Sequence, residues 1–288
     1  MGIRFGPAGN SDSFYEEGNT ASYQAPAWIA ARGLDAFEYS FGRGVGIKSE
    51  AAKKIGEEAE KHGIAMSVHA PYYINLATED EIKKKNNIRY ILDSVRRGAD
   101  MKAKRVIFHP AGAGKGVKRR DAFMTAKAAL LNTLKMVDEL KLPDITLCPE
   151  TMGKLNQIGD LSETLEICAL REDIIPCLDF GHLNSRTGGS LKEKSDFAAV
   201  LDEVEDVLGY DRLKRMHVHF SKIEYTAAGE KRHLTFADTV YGPEFEPLAE
   251  LIYERSLEPI IICESKGTMA EDAAKMRRIY ESIAKNGK

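Results

Sequence analysis

Six apolar, strand-like runs in this chain end on a side chain that can ligate a metal ion. They are Val68-His69, Ile107-Phe108-His109, Thr146-Leu147-Cys148-Pro149-Glu150, Cys177-Leu178-Asp179, Met216-His217 and Ile261-Ile262-Cys263-Glu264. Two further histidines, His182 and His233, fall in the segments that follow such runs. A single histidine at a strand end usually packs or caps. Eight His, Asp and Glu residues converging on one rim are another matter, because unpaired buried charges are costly and neutral residues would fill a core better. Imidazole mixed with carboxylate favours Zn²⁺ or Mn²⁺ over Ca²⁺ or Mg²⁺, which prefer shells of oxygen. The set is about twice what one zinc takes, and a carboxylate such as that of Glu150 can bridge two ions, so more than one ion is expected.

Some positions have two readings. Asp179, three residues before His182, is either a ligand or the N-cap of a helix. His217 and His219 both face inward by the strand period of two, so the pattern alone does not choose between them. Cys148 and Cys177 precede Glu150 and Asp179 by two residues, which puts them one layer deeper, roughly 6–7 Å away and beyond a zinc–sulfur bond. Both are read as inert buried thiols.

Those side chains need a scaffold that gathers strand ends onto one face. Eight strand candidates recur along the chain: Ile3–Phe5, Ala36–Tyr39, Ala65–His69, Arg105–His109, Ile145–Glu150, Ile175–Asp179, Arg215–His219 and Pro259–Glu264. Helical periodicity separates them over Glu79–Gly98, Arg120–Leu140, Leu161–Leu170, Phe197–Leu208 and Met269–Ala284. The pattern is that of an α/β protein, a (β/α)8 TIM barrel forming a single domain over residues 1–288, with its chemistry at the C-terminal ends of the strands. Two loops would share that rim. One is Gly112–Gly116 with Lys115, which lacks the Gly-Lys-Ser/Thr ending of a Walker A loop. The other is Ile223–Thr239, which contains His233.

The 288 residues are 43% apolar, enough for one large core, and the net charge of -3 advertises no polyanion partner without excluding a local basic face. Four cysteines without the spacing of a disulfide scaffold point to reduced thiols and a cytoplasmic protein. No apolar run approaches the roughly 18 residues of a membrane span, so no membrane association is expected.

The motifs resemble those of the endonuclease IV family, metal-dependent apurinic/apyrimidinic endonucleases on a xylose-isomerase-like TIM barrel. The resemblance is carried by His69-Ala70-Pro71-Tyr72-Tyr73-Ile74-Asn75-Leu76, Phe108-His109-Pro110-Ala111-Gly112, Pro149-Glu150-Thr151-Met152-Gly153-Lys154, Cys177-Leu178-Asp179-Phe180-Gly181-His182 and Glu264-Ser265. It implies up to three zinc ions, with Mn²⁺ as an alternative. The first would lie on His69, His109 and Glu150, the second on Glu150, Asp179, His217 and Glu264, and the third on His182 and His233. His217 is preferred to His219 because Arg215 through Lys222 aligns without a gap with the family's strand-seven block. The family's remaining ligand to the third ion is an Asp two residues before the last histidine. Lys231 stands there, leaving Glu230 or His219 as substitutes, or only two ions.

The resemblance also implies a substrate, duplex DNA containing abasic sites, contacted by Arg43, Tyr72 and Tyr73. The implied reaction is hydrolysis of the phosphodiester 5′ to the abasic site by a metal-activated hydroxide, with Glu150 at the catalytic centre and a monomer as the working form. Two other readings compete. A sugar isomerase or epimerase on the same barrel would need one ion and a closed pocket. A catalytically impaired, metal-containing DNA-binding protein would follow if Lys231 disables the third site.

Overall fold

The computed structural model describes residues 2–142 and 145–287, so that Met1, Pro143, Asp144 and Lys288 lie outside it. Its eight principal strands are β1 (Arg4–Pro7), β2 (Ala36–Ser40), β3 (Ala65–His69), β4 (Arg105–Phe108), β5 (Thr146–Pro149), β6 (Cys177–Asp179), β7 (His217–Phe220) and β8 (Ile260–Cys263). All are parallel to their neighbours. One run joins β2, β3, β4 and β5, and a second joins β6, β7, β8 and β1. Single parallel bridges from Ala8 to Glu38 and from Glu150 to Cys177 close the ring. This is the expected α/β barrel, with each strand within two residues of its predicted ends.

The strand period of two divides the residues between two environments. Phe37, Val68, Val106, Leu147, Leu178, Val218 and Ile261 point outward into the large apolar layer under the helices. Only a small apolar cluster of Ile107, Cys148, Ile175 and Cys177 stands apart from it. Buried polar groups, among them Glu38, Ser67, Arg105, His217 and His219, accompany that cluster. A barrel interior of this kind is stable only if those groups satisfy one another.

Local chemistry sets the helix ends. Glu81–Asp100 begins where the Asp80 carboxylate accepts from the amides of Ile82 and Lys83. Leu161–Cys168 begins at a capping box of Asp160 and Glu163. The helix Ser49–Lys61 buries a narrow stripe of mostly small residues, Ala52, Ile55, Gly56 and Ala59, at the i, i+3, i+4, i+7 spacing. A Cβ on Gly56 would lie 2.7 Å from the carbonyl carbon of Met101, so larger side chains are excluded there and the helix packs close. His62 forms its C-cap. Two short antiparallel pairs decorate the rim. Ala111–Gly112 pairs with Gln157–Ile158, and Ile223–Thr226 forms a hairpin with Gly229–His233.

Candidate metal centre

Glu150, one residue past β5 and 1% exposed, sits at the middle of the rim. Its Oε2 lies 3.0 Å from His69 Nε2 and 3.0 Å from His109 Nε2. Its Oε1 lies 3.2 Å from His219 Nδ1 and 3.3 Å from His182 Nδ1. Each oxygen thus faces a different set of imidazoles, as a carboxylate bridging two ions requires. Asp179 caps a helix with one oxygen and leaves the other facing the rim. Oδ1 accepts from the His182 amide at 2.7 Å and caps Phe180–Arg186, while Oδ2 is buried without a hydrogen-bond partner. Glu264 completes this side, with Oε1 3.5 Å from His219 Nδ1.

Backbone carbonyls set the histidine tautomers, because a carbonyl can only accept. His69 Nδ1 donates to Ala70 O at 2.7 Å, His109 Nδ1 to Tyr72 O at 3.0 Å and His182 Nδ1 to Thr151 O at 2.9 Å. Each therefore turns Nε2 toward a carboxylate, namely Glu150 for the first two and Glu230 for the third. Such outer partners orient metal-binding histidines generally.

The geometry corrects the choice made at β7. His219, not His217, stands with Glu150, Asp179 and Glu264, their donor atoms lying within 4.8 Å of one another. Strand register is the reason: Asp179 pairs with His219, whereas Cys177 pairs with His217. His217 is one layer deeper, where its Nε2 is 3.0 Å from Glu38 Oε2 and its Nδ1 accepts from the Arg105 guanidinium at 3.2 Å. Glu38 escaped the sequence reading. Its signal was a lone carboxylate between Phe37 and Tyr39 in the middle of an apolar strand. Cys177 lies near this pair too, but burial pushes its thiol well above the ordinary range, and Cys148 is pushed up to about 12.

Lys231 is not a ligand, and Glu230 takes the position beside His182 and His233. Glu230 Oε2 lies 3.4 Å from His182 Nε2, and Oε1 lies 4.0 Å from His233 Nε2. A plain strand would put residues three apart on opposite faces. Here the hairpin register slips between Glu224 and Tyr225, so that Lys231 and Arg232 together occupy one step. Both turn outward onto Glu224, each at 2.6 Å, and Glu230 and His233 share the inner face. Gly153 makes room, since a Cβ there would come within 2.7 Å of Glu230 Cβ and 2.9 Å of His182 Cδ2.

His69, His109, Glu150, His182, Glu230, His233 and Glu264 line a cavity of about 370 Å³, together with Tyr72, Lys154 and Gln157. Tyr72 and Tyr73 are 49% and 42% exposed beside it. Tyr73 donates its hydroxyl to Arg43 O at 2.6 Å, tying together the loops after β2 and β3, and the Arg43 side chain is exposed. Asn75 fastens the tyrosine loop to Gly112 through one donated and one accepted bond, each 3.2 Å. Arg119 is occupied by Glu163 and by the carbonyls of Leu155 and Gln157, which makes it a structural residue rather than a free cation.

Burial alone would lower His69, but the Glu150 carboxylate overrules it and raises the imidazole to about 9. His182 and His219 are likewise driven well above the ordinary range against burial by surrounding carboxylates, Asp179, Glu150 and Glu230 at the first and Glu264, Glu38 and Glu150 at the second. Burial, with repulsion from Glu150 and Asp179, pushes Glu264 up to about 8. A donor set this rich, with a buried orphan oxygen on Asp179, fits metal ions well. His69 and Glu264, raised to about 9 and about 8, hold protons at neutral pH that must leave before these groups ligate. Metal affinity is therefore expected to rise from pH 6 to about pH 9, by about tenfold per pH unit for each proton displaced. Chelator competition across that range checks this, and a flat profile would contradict it.

The xylose isomerase-like TIM barrel family matches residues 26–282. An uncharacterized protein of Methanocaldococcus jannaschii is 33% identical over 97% of both chains. The probable endonuclease 4 of Staphylococcus carnosus is 28% identical, covering 79% of this chain and 76% of its own. Among solved structures, endonuclease IV from Thermus thermophilus superposes with a TM-score of 0.71 at 19% identity, over 98% of this chain and 99% of that one. A D-tagatose 3-epimerase-like protein superposes with a TM-score of 0.74 at 18% identity, over 99% and 98%. At such identities these two structures speak for the fold alone. The family match, with the endonuclease 4 relatives beside it, places this chain in the xylose isomerase-like TIM barrel family as an endonuclease IV-like member.

Proposed function

We propose that the protein is a metal-dependent DNA-repair endonuclease that hydrolyses the phosphodiester 5′ to abasic sites in duplex DNA. The observation that carries the reading is the convergence of three donor groups on one open cavity. They are His69, His109 and Glu150; Glu150, Asp179, His219 and Glu264; and His182, Glu230 and His233. Zinc is the ion proposed for each, with Mn²⁺ as the alternative. When bound, the ions supply activation of water for attack on phosphorus and neutralisation of phosphate charge.

The chain's own residues do the rest. Glu150 ties two of the donor groups together, so their spacing is set by one rigid carboxylate. Carbonyl-anchored imidazoles hold that geometry before substrate arrives, which lowers the cost of organising the site during reaction. Lys154 on the cavity wall offers a cation to a phosphate oxygen. Tyr72 and Tyr73 offer exposed rings at the mouth, suited to stack on bases flanking an extruded nucleotide, and Arg43 reaches from the adjoining loop. An abasic nucleotide has lost its own stacking and pairing and is the least costly to extrude.

The endonuclease 4 relatives support this reading. A single-ion sugar epimerase would leave the His182, Glu230 and His233 group without a task. The reading as an impaired DNA-binding protein rested on Lys231, and Glu230 now stands in that place. The test is incubation of zinc-loaded protein with a duplex carrying one tetrahydrofuran abasic analogue, with a ketohexose mixture in parallel. A nick on the 5′ side leaving a 3′-hydroxyl that a polymerase extends is expected. An intact duplex with an epimerised ketose would overturn the proposal. In the same assay Tyr72→Ala should weaken binding of the abasic duplex by about 1–3 kcal/mol while leaving ion content unchanged. Equal affinity in a gel-shift titration would remove the ring from the substrate contact.

A further inference from the structure

His219 differs from the other histidines of the centre. His69 and His109 turn Nε2 toward Glu150 and hand Nδ1–H to a carbonyl, whereas His219 turns Nδ1 toward Glu150 and Glu264 and aims Nε2 down the barrel. There Nε2 lies 2.9 Å from Glu38 Oε1. Both atoms are fully buried, and although close they are misaligned for a hydrogen bond, so each lacks any other partner. A small rotation of the imidazole closes the bond. Unpaired buried groups are strongly disfavoured, and the Glu38 carboxylate is a far stronger partner for this imidazole nitrogen than the neutral Cys177 thiol that also lies nearby.

Glu38 is itself held from three sides. Ser67 Oγ donates to its Oε2 at 2.8 Å, and His217 Nε2 lies 3.0 Å from the same oxygen. His217 Nδ1 in turn accepts from Arg105, whose guanidinium also donates to Met216 O and Arg215 O. A guanidinium cannot accept, so Nδ1 of His217 is bare and its Nε2–H donates to Glu38. The proton positions are thus fixed from Arg105 through His217 to Glu38 Oε2, leaving Glu38 Oε1 as a carboxylate acceptor facing His219 Nε2.

We infer that Glu38 is a positioning residue that locks His219 in the Nε2–H tautomer and so presents its Nδ1 as a ligand to the ion shared with Glu150, Asp179 and Glu264. This rests on the metal-centre reading above and extends it one layer down. The deeper group of Cys177, His217 and His219 takes no ion of its own, because a cation there would sit beside the buried Arg105 guanidinium. The relay carries no substrate contact; it acts through His219.

The test is a pair of measurements on the full chain. Long-range ¹H–¹⁵N NMR of the zinc-loaded wild type should show His219 protonated at Nε2 and metal-bound at Nδ1. Cobalt titration should then compare wild type with Glu38→Gln. The amide of Gln can accept from His217 but must donate to His219 Nε2, which moves the proton to Nδ1 and removes the ligand. One of the cobalt ions should bind about 10–100-fold more weakly, with a changed visible absorption band, while the others bind as in wild type. Glu38→Asp, which keeps the charge, should recover part of that loss, and it serves in place of Glu38→Gln if the latter fails to fold. Binding of His219 through Nε2, an additional ion on Cys177 and His217, or unaltered cobalt binding in Glu38→Gln would overturn the inference. Failure of the metal centre as a whole would read differently: wild-type protein would take up no cobalt, and the inference would fall with it.

Discussion

Glu150→Gln should lower cleavage of an abasic duplex by at least about 10³-fold, because the residue touches two donor groups at once and its loss exceeds that of a single charge-stabilising contact. The side chain has nearly the same shape, so the barrel should fold, with the far-ultraviolet spectrum unchanged. What alters is charge. His69 and His109 both face Glu150 Oε2, and His182 and His219 both face Oε1; a neutral amide cannot tie the two sets together, and its nitrogen would oppose one of them. Ion content should fall alongside activity. Single-turnover cleavage and elemental analysis of the variant check this, and wild-type rates would refute the bridging role. Oxidation and alkylation of thiols bear on the same point: all four cysteines are buried, and burial raises their thiols far from reactive pKa values, so alkylating reagents should leave cleavage intact in the folded protein.

Glu230→Ala should remove one ion per chain and reduce cleavage by about 10²-fold or more, because it deprives His182 and His233 of the carboxylate that stands between them. Lys231→Asp, by contrast, should leave the ion count unchanged. Lys231 lies on the outer face of the hairpin, paired with Glu224, and a carboxylate there points away from the cavity. Elemental analysis of the two variants side by side separates the bulged geometry from a plain strand. Recovery of an ion, or a gain of one, in Lys231→Asp would mean that residue 231 turns inward after all. Gly153→Ala should mimic Glu230→Ala, since its added methyl would occupy the space where Glu230 approaches His182.

The barrel was legible because six of its eight strands advertise themselves twice, by an apolar run and by a side chain at the C-terminal end that can ligate a metal ion. His69, His109, Glu150, Asp179 and Glu264 could be read directly from that coincidence. The choice between His217 and His219 could not. Both face inward by the same period, and what separates them is a register with β6 that no local pattern records. Aligning the segment by motif favoured His217 for lack of that register. Glu230 was hidden for a related reason, since spacing alone implies an unbroken strand and the extra residue at Lys231 and Arg232 changes which side chains share a face. Glu38 was hidden because its role depends on four residues that are distant in sequence: Ser67, Arg105, His217 and His219. Asp179 shows that alternatives at one position need not exclude each other, since one oxygen caps a helix and the other faces the site. Among the described residues no helix is long and apolar enough to cross a membrane, which agrees with the absence of a long apolar run in the sequence.

Three donor groups stand on one barrel rim around Glu150. Counting tightly bound ions tests this arrangement most directly: load the purified full chain with zinc, remove the excess by gel filtration and measure metal against protein by elemental analysis. Three ions per chain are expected, one for each of the groups built on His109, His219 and His233. A single ion per chain would contradict that arrangement.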